Sequence, residues 1–167
     1  MKLFKPLIFT IFISISSFGQ NKWAETHSIV NPVKLNNIKI HDLTTEAIIR
    51  IFGKPEKTET VWSEYDDENL IYYNYENSYF QFWANKNLRS FEIRDKKIQN
   101  IIVNINNHSV GDSLNNLKRD YYKSTVNMND NEVSIHLISP KFYITSSIIT
   151  FKIDMESIEY IKLIILD

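Results

Sequence analysis

The sequence predicts an α+β fold of two related units, each a short helix followed by a four-stranded antiparallel meander. Three observations carry that expectation. Apolar spacing changes from helical to alternating just after Gly53; short polar connections separate the strand-like runs that follow; and the same order of elements returns in the second half of the 167-residue chain.

Taken in order, the chain opens with Met1-Lys2-Leu3-Phe4-Lys5, an apolar run from Leu7 to Phe18, and then Gly19-Gln20. A charged start, greasy middle and small-residue exit predict a secretory signal over residues 1–19, cut after Gly19 or after Gln20. The run falls well short of the ~20 apolar residues that a bilayer-spanning helix needs, so no membrane span is expected once the signal is gone. Residues 20–32, punctuated by Pro32, read as a loosely ordered lead-in.

The first unit is expected over 33–97. Val33 to Leu35 and Ile38 to Ile40 flank Asn36-Asn37, residues that tolerate positive φ, so this is either a tight hairpin or one bulged strand. Asp42 and Thr44 are candidate caps for a helix whose apolar positions are Ala47, Ile48, Ile51 and Phe52; Gly53 stops it, and Pro55 prevents its resumption. Strands are then predicted at Thr58–Trp62, Leu70–Tyr75, Ser78–Trp83 and Leu88–Ile93. The second unit, 98–167, is expected to hold a strand at Ile98–Ile105 and a helix from about Asp112 to Tyr122 with Leu114, Leu117 and Tyr121 on one face. Strands at Thr125–Met128, Val133–Ile138, Phe142–Ile153 and Ile158–Leu166 complete it. Pairing Leu43-Thr44-Thr45 with Val110-Gly111-Asp112, and Leu88–Ile93 with Ile158–Leu163, aligns the halves by element order and apolar spacing. Each helix can bury its stripe on one sheet face only, which leaves the other face open.

Composition removes several function classes. The chain has 19 Lys+Arg against 20 Asp+Glu with no basic block, and Lys2 and Lys5 leave with the signal, so nucleic acid is not an expected partner. It has no cysteine, which excludes disulfides, thiolate zinc sites, a cysteine nucleophile and lipid attachment through cysteine. An exported chain without disulfides rests on its apolar core, and 43% hydrophobic with 13% aromatic residues suffices for one. There is no Gly-x-Ser-x-Gly or Ser-x-x-Lys motif, and Gly53 and Gly111 are the only glycines after the signal. Neither an enzyme nor a cofactor is expected.

The stretch Thr44-Thr45-Glu46-Ala47-Ile48-Ile49-Arg50-Ile51-Phe52-Gly53-Lys54-Pro55, followed by the aromatic strands Ile71–Tyr75 and Tyr79–Trp83 and by Leu88–Ile93, resembles the β-lactamase-inhibitor-protein-like superfamily. That group includes the tandem-repeat inhibitors and the small lipoprotein subunit of the outer-membrane barrel assembly machine. The resemblance implies a short helix ending in a Gly-x-Pro turn, then an antiparallel sheet whose free concave face binds another protein. It covers Ile38–Ile93 best. The second half departs from it: Tyr121-Tyr122-Lys123-Ser124 replaces the Gly-x-Pro turn, and no cysteine is present for an anchor or disulfide.

Alternation places Ile71, Tyr73, Tyr75, Phe80 and Phe82 on one sheet face and Tyr72, Asn74, Tyr79, Gln81 and Trp83 on the other. Tyr72, Tyr79 and Trp83 are therefore the main candidate partner-binding residues, with Trp62 and Tyr65 as additions, because polar-tipped aromatics bury much area at little entropic cost. The competing reading packs them beneath the other unit. No metal site is expected. The acidic turn Asp66-Asp67-Glu68 and the segment Asn127 to Glu132 lack the glycine of a calcium loop, and the turn reads as a solvated hairpin tip. His27, His41, His108 and His136 lack ligand spacing, and Glu92 with Asp95 reads as a salt-bridged strand end. The expectation is thus a periplasmic or secreted protein that binds another exported or envelope protein through a sheet face. Two alternatives stay open: an envelope-glycan or small-molecule binder or hydrolase with an aromatic-lined pocket, and a specific inhibitor or immunity-like protein.

Overall fold

The computed structural model describes residues 33–121, 127–128, 131–138 and 144–165; the expected signal segment and lead-in lie outside them. Over the described residues the chain is α+β, with two α-helices and one large antiparallel sheet.

Helix α1, Thr45–Phe52, begins where the sequence places a cap: Thr44 is extended, and its hydroxyl oxygen accepts from the Ala47 amide at 3.2 Å. Its burial follows the helical stripe, with Ala47, Ile48 and Phe52 inside and Arg50 outside. Gly53 ends it at φ 82°, a backbone region closed to residues with a Cβ. Helix α2, Leu114–Tyr121, buries Leu114 and Leu117 in the same core. Its start at Leu114 lies two residues past the expected one.

Strands β3 (Lys57–Ser63), β4 (Glu68–Tyr75), β5 (Ser78–Phe82) and β6 (Leu88–Ile93) form a meander, as do β9 (Asn127–Met128), β10 (Glu132–Ile138), β11 (Ile144–Asp154) and β12 (Ser157–Ile164). The two runs join in one eight-stranded sheet of order β3-β4-β5-β6-β12-β11-β10-β9. At the join, β6 and β12 are antiparallel, with Ile93 opposite Ile161 and Phe91 opposite Leu163. These four belong to one core cluster that also holds Phe80, Phe151, Val133 and, from the helices, Ala47, Ile48, Phe52, Leu114 and Leu117. Both helices therefore cover the same face. Phe52 anchors α1 by stacking on Phe80 at 5.6 Å and meeting Tyr75 edge-on at 6.2 Å. Full burial of a side chain such as Phe52 or Ile48 contributes roughly 1.5–3 kcal/mol each.

Two small hairpins complete the core. In the first, β1 (Lys34–Leu35) and β2 (Ile38–Lys39) enclose Asn36 and Asn37 at positive φ, which settles the hairpin-or-bulge alternative in favour of a tight hairpin. The second departs from expectation. In place of one strand over Ile98–Ile105, the chain turns back at Gln99-Asn100, both at positive φ, between β7 (Lys97–Ile98) and β8 (Ile101–Ile102). It turns again at Asn106-Asn107. The cause is visible in burial: Ile98, Val103 and Ile105 are core residues while Ile101 and Ile102 are 43% and 51% exposed, so the apolar run does not lie along one sheet face.

Corresponding bonds recur in the two halves. The Thr45 amide donates to Lys86 O and the Leu114 amide to Glu156 O; Leu88 N donates to Leu43 O and Ile158 N to Asp112 O. These bonds align Leu43-Thr44-Thr45 with Asp112-Ser113-Leu114, two residues along from the expected Val110-Gly111-Asp112.

Candidate functional site

The face of the sheet away from the helices carries a mixed, largely polar set of side chains, with Val61, Leu70, Ile148 and Ile164 among them. Across the described strands, one cross-strand row reads Lys57, Asn74, Tyr79, Glu92, Lys162, Thr150 and Ser134. The next reads Glu59, Tyr72, Gln81, Ser90, Ile164 and Ile148.

Of the expected binding residues, the structure brings Tyr72, Tyr79 and Trp83 to this face and leaves each partly exposed. The Tyr72 and Tyr79 rings lie 6.0 Å apart, tilted by 46°. Trp83, just past β5, lies with its ring 5.0 Å from the Arg89 guanidinium carbon, a cation–π contact. Trp62 does not join them. It pairs with Asn69 in the same alternation as Thr60 with Ile71, which puts it on the helix-bearing face, 55% exposed at the sheet margin. Tyr65 projects from the β3–β4 turn, 86% exposed.

The residue that organises this face is one that alternation misses. Between β5 and β6 the register slips, so that Gln81 opposes Ser90 while Phe82 opposes Leu88, leaving Arg89 as the extra residue of a bulge. Strict alternation would bury Arg89 beside Phe91; the bulge turns its side chain to the open face. There it bonds Asp66 at 3.0 Å and donates to Gln81 Oε1 at 3.2 Å. Gln81 also accepts from Ser90 Oγ at 2.6 Å and donates to the Tyr72 hydroxyl. Among the described residues the buried Arg89 Nε has no hydrogen-bond partner.

Asp66 is consequently no solvated hairpin tip. Its side chain is 7% exposed, and its carboxylate takes the Ser63 hydroxyl at 2.7 Å as well as Arg89. Burial pushes its pKa up, but the bonds from Ser63 and Arg89 outweigh that and hold it below the usual carboxylate value. Tyr79 moves the other way: burial first, then the charges of Glu92 and Tyr72, raise its pKa against the pull of Arg94 and Arg89, so at neutral pH it presents a hydroxyl.

A second stack spans the seam between the two meanders. Arg94 lies 4.4 Å above the Tyr160 ring while its Nε bonds Glu92 at 2.7 Å. Asp95, which the sequence pairs with Glu92, turns away instead and accepts from the Asn77 amide and the Ser78 hydroxyl. His41 is exposed on the short 3-10 turn Ile40–Asp42, whereas His108 is buried. His27, with part of the Asn127 to Glu132 segment, lies outside the described residues. Among those residues no three His, Asp or Glu side chains converge as metal ligands, and no helix is long and apolar enough to cross a membrane.

No family model, curated protein or solved structure matches the chain.

Proposed function

We propose that this protein is an exported, non-enzymatic binding module that engages another exported or envelope protein through the open face of its sheet. The observation that carries this reading is the set Tyr72, Tyr79 and Trp83, three polar-tipped aromatics on an uncovered face. Arg89, Gln81 and Asp66 already hold two of them through bonds within the fold. Aromatics held in place before binding lose little rotamer entropy on contact, the property that makes such residues strong interface anchors. The cleft that Trp83 lines supports a protein partner over an aromatic-lined glycan or hydrolytic pocket. Among the described residues it is lined otherwise by Ile40, His41, Asn85, Asn87, Leu88 and Ile165, with neither Tyr72 nor Tyr79 and no carboxylate, and it spans only about 220 Å³.

We also infer that the halves are related units, each a helix followed by a four-stranded meander. The recurring bonds at the two helix starts and the strand order running outward from the β6–β12 join support this, as does the resemblance of Ile38–Ile93 to the β-lactamase-inhibitor-protein-like superfamily.

The test is photocross-linking in the native envelope, with the reactive amino acid placed either at Lys162 on the open face or at the exposed Ile49 of α1. The expected result is a protein adduct from Lys162 alone, lost in a folded Tyr79→Ala, Trp83→Ala variant. Adducts from both positions alike, or none from Lys162, would overturn the reading.

A further inference from the structure

We propose that β3 is a self-association edge, to which a second copy of this chain adds its own β3 in antiparallel alignment. The proposal concerns a surface that uses neither Tyr72 nor Tyr79, so it stands apart from the open-face reading.

β3 ends the sheet, and among the described residues no strand pairs with its outer side. Outer strands present a row of unpaired backbone groups, which proteins ordinarily guard with proline, a bulge, short length or a projecting charge. β3 has little of this. It is seven residues long, and its register with β4 runs unbroken from Lys57 opposite Asn74 to Ser63 opposite Glu68. Its two charged residues, Lys57 and Glu59, lie in its first half and pair with each other at 2.8 Å, leaving Thr60 to Ser63 uncharged. Thr58, Thr60, Val61 and Trp62 are strand-favouring types. Val61 and Trp62 are 48% and 55% exposed, with Tyr65 beside them at 86%.

The occupant follows from how the chain joins its own halves. β6 and β12 meet in antiparallel register with core residues opposite core residues and both helices on one side. β3 can pair with a copy of itself in the same geometry. Centred on Thr60, all seven residues are used: Lys57 faces Ser63, Thr58 faces Trp62, and Glu59 faces Val61, so no like charges oppose and a β-branched residue meets an aromatic one. The helix-covered face of one copy would continue into that of the other.

This register puts Thr60, exposed in the single chain, opposite its own copy. The test is sedimentation of the purified protein over a micromolar dilution series, with Thr60→Lys, Thr60→Glu and their equimolar mixture, each checked for native circular dichroism. The expected result is a reversible wild-type dimer, two monomeric variants and a dimer restored in the mixture. A monomeric wild type, dimeric single variants, or a mixture that stays monomeric would each overturn the proposal.

Discussion

Arg89 and Asp66, brought together from a strand bulge and a hairpin turn, form a 3.0 Å ion pair whose side chains are 14% and 7% exposed. The pair draws the β3–β4 turn onto the open face, where Arg89 also meets Trp83 and Gln81. A charge pair removed this far from water contributes less as an attraction than it costs when one member is left alone.

Arg89→Ala is accordingly expected to destabilise the fold by about 3 kcal/mol, since it strands a buried carboxylate. Adding Asp66→Asn to that variant should recover part of the loss, and a double-mutant cycle by denaturant unfolding reads the coupling. The pH sign follows from the lowered Asp66 pKa. The pair's contribution is complete above the ordinary carboxylate value of about 4, and it falls away as pH drops through the lower folded value. The acid limb of a stability profile should flatten in the double variant.

Gly53→Ala is expected to cost about 2 kcal/mol, because the residue sits at φ 82° with ψ −171° and an added Cβ would press on Gln99 Oε1. Gln99 is held there by donating to Lys54 O at 2.6 Å. Adding Gln99→Ala to Gly53→Ala should relieve the contact but leave the backbone strain, so thermal unfolding of the pair should show only partial recovery.

The sequence made much of the first half legible because its elements obey one period at a time. Thr44, Ala47, Phe52 and Gly53 announce a helix with both ends, and Leu88–Ile93 is a strand at its predicted bounds. The expected Ile98–Ile105 strand is instead broken at Gln99-Asn100 and followed by a second reversal at Asn106-Asn107; a run rich in isoleucine reads as one strand, and the cue against it lay in those polar pairs, which tolerate positive φ. At the candidate site, alternation found Tyr72 and Tyr79 but had no way to find Arg89, because a bulge breaks the very periodicity the reading relies on. A charged residue falling on the core side between Leu88 and Phe91 was the available signal. Asp66 was missed for a related reason: its partner is distant in the chain.

Asn36→Ala and Asn106→Ala are expected to cost similar amounts, about 2 kcal/mol each, although they sit in different turns. Each residue holds positive φ, and its Oδ1 accepts a backbone amide from the segment that carries the other, Asn104 N at 2.7 Å and Lys34 N at 2.8 Å. The glycine variants keep the backbone and lose only the bonds, so they should be milder. Equilibrium unfolding of the four variants checks this; a large cost at Asn36 with none at Asn106 would contradict the equivalence of the two turns.

His108 should make stability pH-dependent near neutrality. Its ring is 4% exposed and lies edge-on to Phe151, with Nε2 3.4 Å from the Asp120 carboxylate. Two influences oppose each other: burial lowers its pKa, while Asp120 and then Asp112 raise it, and Arg119 adds to the lowering. Burial prevails because Asp120 is itself 39% exposed, screened by water, and occupied by Arg119 at 2.7 Å. The folded protein therefore holds His108 neutral below its ordinary value of 6.5. The sign follows: stability is complete above that value and is lost as pH falls toward the folded pKa, where the unfolded chain binds a proton that the folded chain refuses. Between about pH 7 and about pH 5, where unperturbed histidine titrates, the wild type should lose stability in urea unfolding. His108→Leu, which has nothing to protonate, should lose less over that interval. A wild type that gained stability on acidification would instead mean that the carboxylates prevail and His108 is held as a cation.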